Sequence, residues 1–65
     1  MTAAERDIYQ GLARTFRDLA RCDLQLAGIA HRRGNRREML ARIREARDRV
    51  REARRWEAVV RMGQA

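Results

Sequence analysis

The sequence predicts an all-α protein: an antiparallel, coiled-coil-like two-helix hairpin that dimerises into a four-helix bundle. Three observations carry that expectation. The 65-residue chain contains no proline, so no position forces a break in a helix. Apolar residues recur at heptad spacing in both halves. Between the halves lies one short segment, HRRGNRR at residues 31–37, in which Gly34 and Asn35 spell a helix stop followed by a helix start. At this length a single domain over residues 1–65 is expected, close to the lower limit at which one core suffices.

The first helix is expected over residues 3–33. Thr2 and Glu5 spell a capping box, in which each side chain satisfies the other's backbone N–H. Ile8, Leu12, Thr15, Leu19, Cys22, Leu26 and Ile29 then follow at alternating steps of four and three. Tyr9, Phe16, Ala20, Ala27 and Ala30 flank that row and widen it into a broad stripe. Cys22 in this row reads as a small buried hydrophobe. Asp23 falls almost at the centre of the apolar face. It lies either near water at the rim of the bundle or buried against an arginine, with Arg47 and Arg54 as candidates. Gly11, at the edge of the stripe, is expected where helices approach closely, whereas Gly28 points outward. Gly34 suits the left-handed residue that ends a helix, leaving residues 34–35 as the turn.

The second helix is expected over residues 36–62, with Asn35 as N-cap and Glu38 three residues on. It contains a sevenfold repeat, RREMLAR, IREARDR, VREARRW, over residues 36–56. Its seam is Met39, Ile43, Ala46, Val50, Ala53 and Val60, where the alanines permit close approach. Glu38–Arg42, Glu45–Arg49 and Glu57–Arg61 are i,i+4 pairs in the favoured order, together worth about 1 kcal/mol. Trp56 borders the seam and either packs against the start of the first helix or serves as a partner's anchor. Beyond it AVVRMGQA loses the period, and the tail is expected to fray or dock.

The first helix has more apolar width than the thin seam of the second can cover, which calls for a second copy of the chain. The oligomer seam is expected to contain Ile8, Leu12, Phe16, Leu19, Asp23, Leu26, Ile29, Ile43 and Val50.

Sixteen basic residues, all arginine, face nine acidic ones, for a net charge of +7. Such a surplus favours an anionic partner. Residues 1–33 hold six arginines and four acids, and residues 34–65 hold ten and five. Around the second helix Arg36, Arg37, Arg44, Arg47, Arg51, Arg54 and Arg55 share a sector of roughly 100°. Arg14, Arg17 and Arg21 form a possible second basic face on the first. At the turn, Arg32 and Arg33 complement a helix C-terminus, but Arg36 and Arg37 oppose the macrodipole at a helix start. The turn is either a solvated connection or an anion clamp built from these four arginines, Asn35 and free backbone N–H groups.

Several functions are excluded by composition. With no serine and one histidine a conventional triad cannot be assembled within the chain, and His31 and Cys22, nine residues apart, do not make a metal site, which normally needs three or four ligands. The four glycines match no phosphate loop. A non-enzymatic protein without cofactor or metal is therefore expected, with His31 acting as a dipole partner at a helix end. The best uncharged run, LQLAGIA at residues 24–30, falls far short of a membrane span. Asp23 in one apolar face and alanines in the other disfavour membrane-surface binding. Glu5, Arg6 and Asp7 occupy the place of a signal sequence, and a lone cysteine fits a reducing compartment, so a cytoplasmic protein is expected. The arginine- and alanine-rich composition points to a GC-rich bacterial or phage genome.

These readings lead to a small interaction or regulatory protein, of adaptor or inhibitor type, that self-associates and binds an acidic protein through its arginine face. The alternative is a basic nucleic-acid-binding protein contacting the backbone of structured RNA or duplex DNA. In architecture the expected hairpin is similar to the Rop family, dimeric two-helix hairpins that bind paired RNA loops. That likeness implies contacts at Arg14, Arg17 and Arg21. No third helix completes a helix-turn-helix reader.

Overall fold

A computed structural model of the chain describes residues 1–64. It is the expected hairpin, with α1 (Ala3–Arg32) and α2 (Arg36–Gln64) packed side by side in a rod 48 Å long and 14 × 10 Å in section. Among the described residues there is no strand, and no helix is long and apolar enough to cross a membrane. The capping box forms as spelled: the Thr2 hydroxyl accepts from the Glu5 N–H at 3.1 Å, and the Glu5 carboxylate accepts from the Thr2 N–H at 3.2 Å. Those hydrogen bonds hold the Glu5 carboxyl below its ordinary pKa, the backbone bond being the larger cause.

The turn has a simple chemistry. Gly34 adopts φ 73°, and the N–H groups of Gly34 and Asn35 donate back to the carbonyls of His31 and Ala30 at 3.0 and 2.8 Å. These two bonds close α1 in a Schellman motif, which needs the left-handed residue at this point. The Asn35 side chain then accepts from the Glu38 N–H at 3.1 Å and starts α2. Stop and start are thus contained within three residues, and the chain reverses immediately.

The helices meet along alanine. The buried apolar residues are Ala13, Ala20, Ala27 and Ala30 of α1 with Ala46, Ala53 and Val60 of α2, and Ala53 has no accessible surface at all. On α2 this is the expected seam. On α1 it is not: the row turned toward α2 is Tyr9, Ala13, Phe16, Ala20, Asp23, Ala27 and Ala30, one residue out of step with the Ile8–Ile29 row. That row stays uncovered, with Ile8 60% exposed and Leu19, Leu26 and Ile29 near 40%. Cys22 is exposed with it, contrary to the expectation of a buried position. The physical reason is reach: alanine opposite alanine lets the helix axes close in, whereas a leucine row there would hold them apart.

Aromatic and charged groups close the open end. Tyr9 stacks on Trp56 with ring centroids 5.4 Å apart and planes 10° from parallel, so Trp56 packs against the start of α1. Arg17 bridges to Glu57 at 2.6 Å, so Glu57 reaches across the hairpin instead of along α2 to Arg61. The Glu38–Arg42 and Glu45–Arg49 pairs form at 3.0 and 3.8 Å. The tail stays helical and is covered only in part: α2 continues to Gln64, Val60 is buried, Met1 lies so close to Gly63 that a Cβ there would meet its Cε at 2.5 Å, and Met62 is exposed. Ala65 lies outside the described residues.

Gly11 is not a site of helix approach. A Cβ there would meet nothing within 4 Å, and besides its helical role its carbonyl accepts the Thr15 hydroxyl within α1. Gly11→Ala should therefore raise stability by about 1 kcal/mol through helix propensity. Ala53→Leu should lower it by about 1–3 kcal/mol through overpacking at the tightest point of the seam. Urea denaturation of both variants checks these signs. The lowered pKa of Glu5 means its contribution is present above the ordinary glutamate pKa and is lost as pH falls through the folded-state value. Amide protection at the start of α1, with exchange corrected for its intrinsic pH dependence, should fall through that acidic window in the native chain. In Glu5→Gln protection should show no such step with pH.

Candidate partner-binding groove

Because the alanine seam sets which flank of each helix lies beside the other, it sorts the remaining residues onto two sides of the rod. On one side Arg17, Leu24 and His31 of α1, seven residues apart, border α2. A hollow there is lined by Leu24, Ile43, Ala46 and Val50 with Arg47, Arg51 and Arg54. It continues toward the turn past Ala27, Gly28, His31 and Met39, and then to Arg36. Toward the open end, on the same side, Arg14, Arg17 and Arg21 line a further hollow whose floor includes Ala13 and Val60. The result is a shallow groove with an apolar floor and walls made mostly of arginine, with Asp18 and Glu57 among them at the open end. Gly28 lines it half-buried, and a Cβ there would meet only the Arg32 guanidinium, at 3.7 Å.

This arrangement joins two sets of arginines that the sequence presents as separate faces. Arg14, Arg17 and Arg21 belong to one helix, Arg47, Arg51 and Arg54 to the other, and both rows flank the same groove. Arg44 is exposed one turn before Arg47. Among the described residues Arg14, Arg44, Arg47 and Arg54 have no carboxylate within 4 Å, so their charge faces outward without compensation. Arg17 is held by Glu57, while Arg21 and Arg51 have only loose neighbours, Asp18 at 3.6 Å and Asp48 at 3.7 Å. Arg55 departs from the expected sector and leans toward Glu52 at 3.9 Å.

The four arginines of the turn do not converge. Arg36 lies on the groove side with His31 and Met39. Arg33 lies on the opposite side, in a hollow with Leu26, Ile29, Asn35 and Glu38. Arg32 folds back along α1 to reach Gly28, and Arg37 stands exposed at the start of α2. A clamp would draw on fewer than all four, because they stand on both sides of the rod, and Asn35 is engaged in capping α2.

The other side of the rod is chemically different. Here α2 presents Glu38, Glu45 and Glu52 with Arg42 and Arg49, and α1 presents the uncovered Ile8–Ile29 row. Asp23 is buried at this edge of the seam, 7% exposed, with Arg42 at 3.9 Å and Arg49 at 3.7 Å. The alternative of a hydrated rim position is thereby removed, and Arg47 and Arg54 are not its partners because they stand on the groove side. The ion pair is loose: Asp23 Oδ2 and Arg49 Nε are both buried without a hydrogen-bond partner. Of the residues expected to form one oligomer seam, Phe16 and Asp23 face α2, while Ile43 and Val50 are half-exposed in the groove. Ile8, Leu12, Leu19, Leu26 and Ile29 remain together on the uncovered row.

Leu24 was absent from the expected apolar set, although it is 54% exposed at the centre of the groove floor. The signal available in the sequence was its position one residue after Asp23, which turns it about 100° to the far side of the seam. Comparison of the chain with protein families, with curated proteins and with solved structures finds no match.

Asp23 and its arginines should respond asymmetrically. Asp23→Ala extends the alanine row and leaves two half-exposed guanidinium groups able to hydrate, so stability should hold within about 1 kcal/mol. Removing both partners, Arg42→Ala with Arg49→Ala, strands a buried carboxylate and should cost about 3 kcal/mol. Guanidinium denaturation of the two variants distinguishes these outcomes.

Proposed function

We propose that this chain is a small non-enzymatic interaction protein that self-associates and holds an acidic amphipathic helix of a partner protein in the arginine-walled groove. The observation that supports the reading is the apolar floor. Leu24, Ile43 and Val50 line the same hollow as Arg47, Arg51 and Arg54. A partner helix with an apolar stripe and acids on its flanks would lay the stripe on the leucine, isoleucine and valine and bring its carboxylates to the guanidinium groups. This is the helix-in-groove mode of recognition, in which apolar burial supplies affinity and charge selects orientation and partner. A nucleic-acid backbone has no apolar stripe to offer to such a floor.

A second reading, backbone-directed binding of structured RNA or duplex DNA, draws on the two arginine rows that share this side. Charge alone would drive it, so its affinity would fall steeply with salt and ignore the floor. The two readings separate at Leu24, which is exposed enough to be changed without disturbing the alanine seam. Fluorescence anisotropy would use a labelled Glu-rich peptide with leucines at helical spacing, a duplex DNA and a structured RNA, across a salt series.

Peptide binding is expected to persist near ~150 mM salt, where exposed charges are largely screened. Leu24→Asp should weaken it roughly tenfold, the equivalent of one leucine contact. Charge reversal at Arg47, Arg51 and Arg54 should abolish it. Nucleic-acid binding that persists at the same salt and is indifferent to Leu24→Asp would instead select the second reading.

A further inference from the structure

We propose that the uncovered row of α1 seats a second copy of this chain, docked antiparallel about a two-fold axis that passes close to Leu19. The inference rests on the self-association reading above and supplies what that reading leaves open, the surface and its direction. The row is Ile8, Leu12, Thr15, Leu19, Cys22, Leu26 and Ile29, in steps of four and three that match a coiled-coil seam. Ile8, Leu19, Cys22, Leu26 and Ile29 are all exposed along it.

Two features of the row select a second copy over another partner. First, it reads alike in both directions: isoleucine at each end, leucine next, a small residue next (Thr15 or Cys22), and Leu19 in the middle. A two-fold interface requires a surface complementary to itself, and reversal lays Ile8 and Leu12 of one copy over Leu26 and Ile29 of the other. Second, most of the charges around it are already paired. Glu38–Arg42, Glu45–Arg49 and the Asp23 pairs lie on this side, where Arg33 is the exception, whereas Arg44, Arg47 and Arg54 line the opposite side without a carboxylate among the described residues. Two copies can therefore approach through this face without bringing like charges together.

The direction follows from the ends of α1. Glu5 stands at the first turn, and Arg33, in the hollow with Leu26 and Ile29, stands just past the last. Antiparallel docking brings acid toward base and opposes the helix dipoles, whereas parallel docking sets the two copies' Arg33 side by side. The row is also displaced by one residue, about 100°, from the row that faces α2. That is close to the corner angle at which a helix of a square four-helix bundle meets its two neighbours. In such an assembly the α1 helices meet at the centre, and the two arginine grooves face outward on opposite sides. One dimer then presents two binding grooves running in opposite directions.

The test uses the full chain with Cys22→Ala as background, adding Leu19→Cys or Ile8→Cys. Each variant is treated with a short bis-maleimide, its mass is followed by sedimentation equilibrium, and its helicity by circular dichroism. The expected result is a dimer in which Leu19→Cys cross-links efficiently and Ile8→Cys does not. Antiparallel docking would hold the two Ile8 positions about 33 Å apart at 1.5 Å per residue. A dimer that cross-links through Ile8→Cys, or through neither position, overturns this arrangement while leaving self-association standing. A monomer at every concentration overturns both. Leu19→Asp with Leu26→Asp should dissociate the native dimer. Cross-linking at Leu19→Cys needs no dissociated state, so it decides the matter even if that double variant unfolds.

Discussion

Everything distinctive in this hairpin depends on how closely its two helices approach. Among the described residues six alanines and one valine are the buried apolar ones, and no large side chain is fully buried between the helices. Alanine loses no rotamer entropy in a helix and brings the backbones near, which suits two long helices that must hold each other along their whole length. The same choice limits the apolar area the hairpin can bury. Larger side chains are displaced to the margins of the seam, where Tyr9 and Trp56 stack at one end and Leu24, Ile43 and Val50 floor a groove in the middle. The leucine and isoleucine row of α1 is left largely outside, with Leu12 half-buried.

That geometry also sorts the charge. Once the alanine rows face each other, each arginine is assigned a side by its heptad position. The acids of the α2 repeat fall with Arg42 and Arg49 on one side, where they pair and where Asp23 finds its partners. The arginines without acids fall on the other, together with Arg14, Arg17 and Arg21 of α1. A chain of net charge +7 thereby becomes a rod with one nearly neutral face and one strongly basic face. The proposed division of labour follows from this, with self-association on the neutral face and capture of an acidic partner on the basic one.

Asp23 shows how the seam constrains even its exception. A carboxylate in an alanine row would normally be costly, yet here it sits at the seam's edge between two guanidinium groups that remain partly hydrated. It cannot move one residue along either helix without losing both partners. It therefore opposes slippage of a repeat that is otherwise nearly uniform from one heptad to the next.

Sequence alone determined the local structure: the capping box at Thr2 and Glu5, the Gly34–Asn35 reversal, the heptad seam of α2 and the excess of arginine. Each of these depends on residues within a turn or two of one another, or on a sum over the chain. Tertiary structure decided which of two adjacent apolar rows of α1 would face α2. Both rows keep the same heptad spacing, and only the fit of alanine against alanine across the interface chooses between them. From that choice came the exposure of Cys22 and Leu19, the arginine partners of Asp23, the divergence of the turn arginines and the groove that joins Arg14, Arg17 and Arg21 to the α2 arginines. These are relations between side chains on different helices, and a heptad pattern read along one helix carries no information about the rotation of the other.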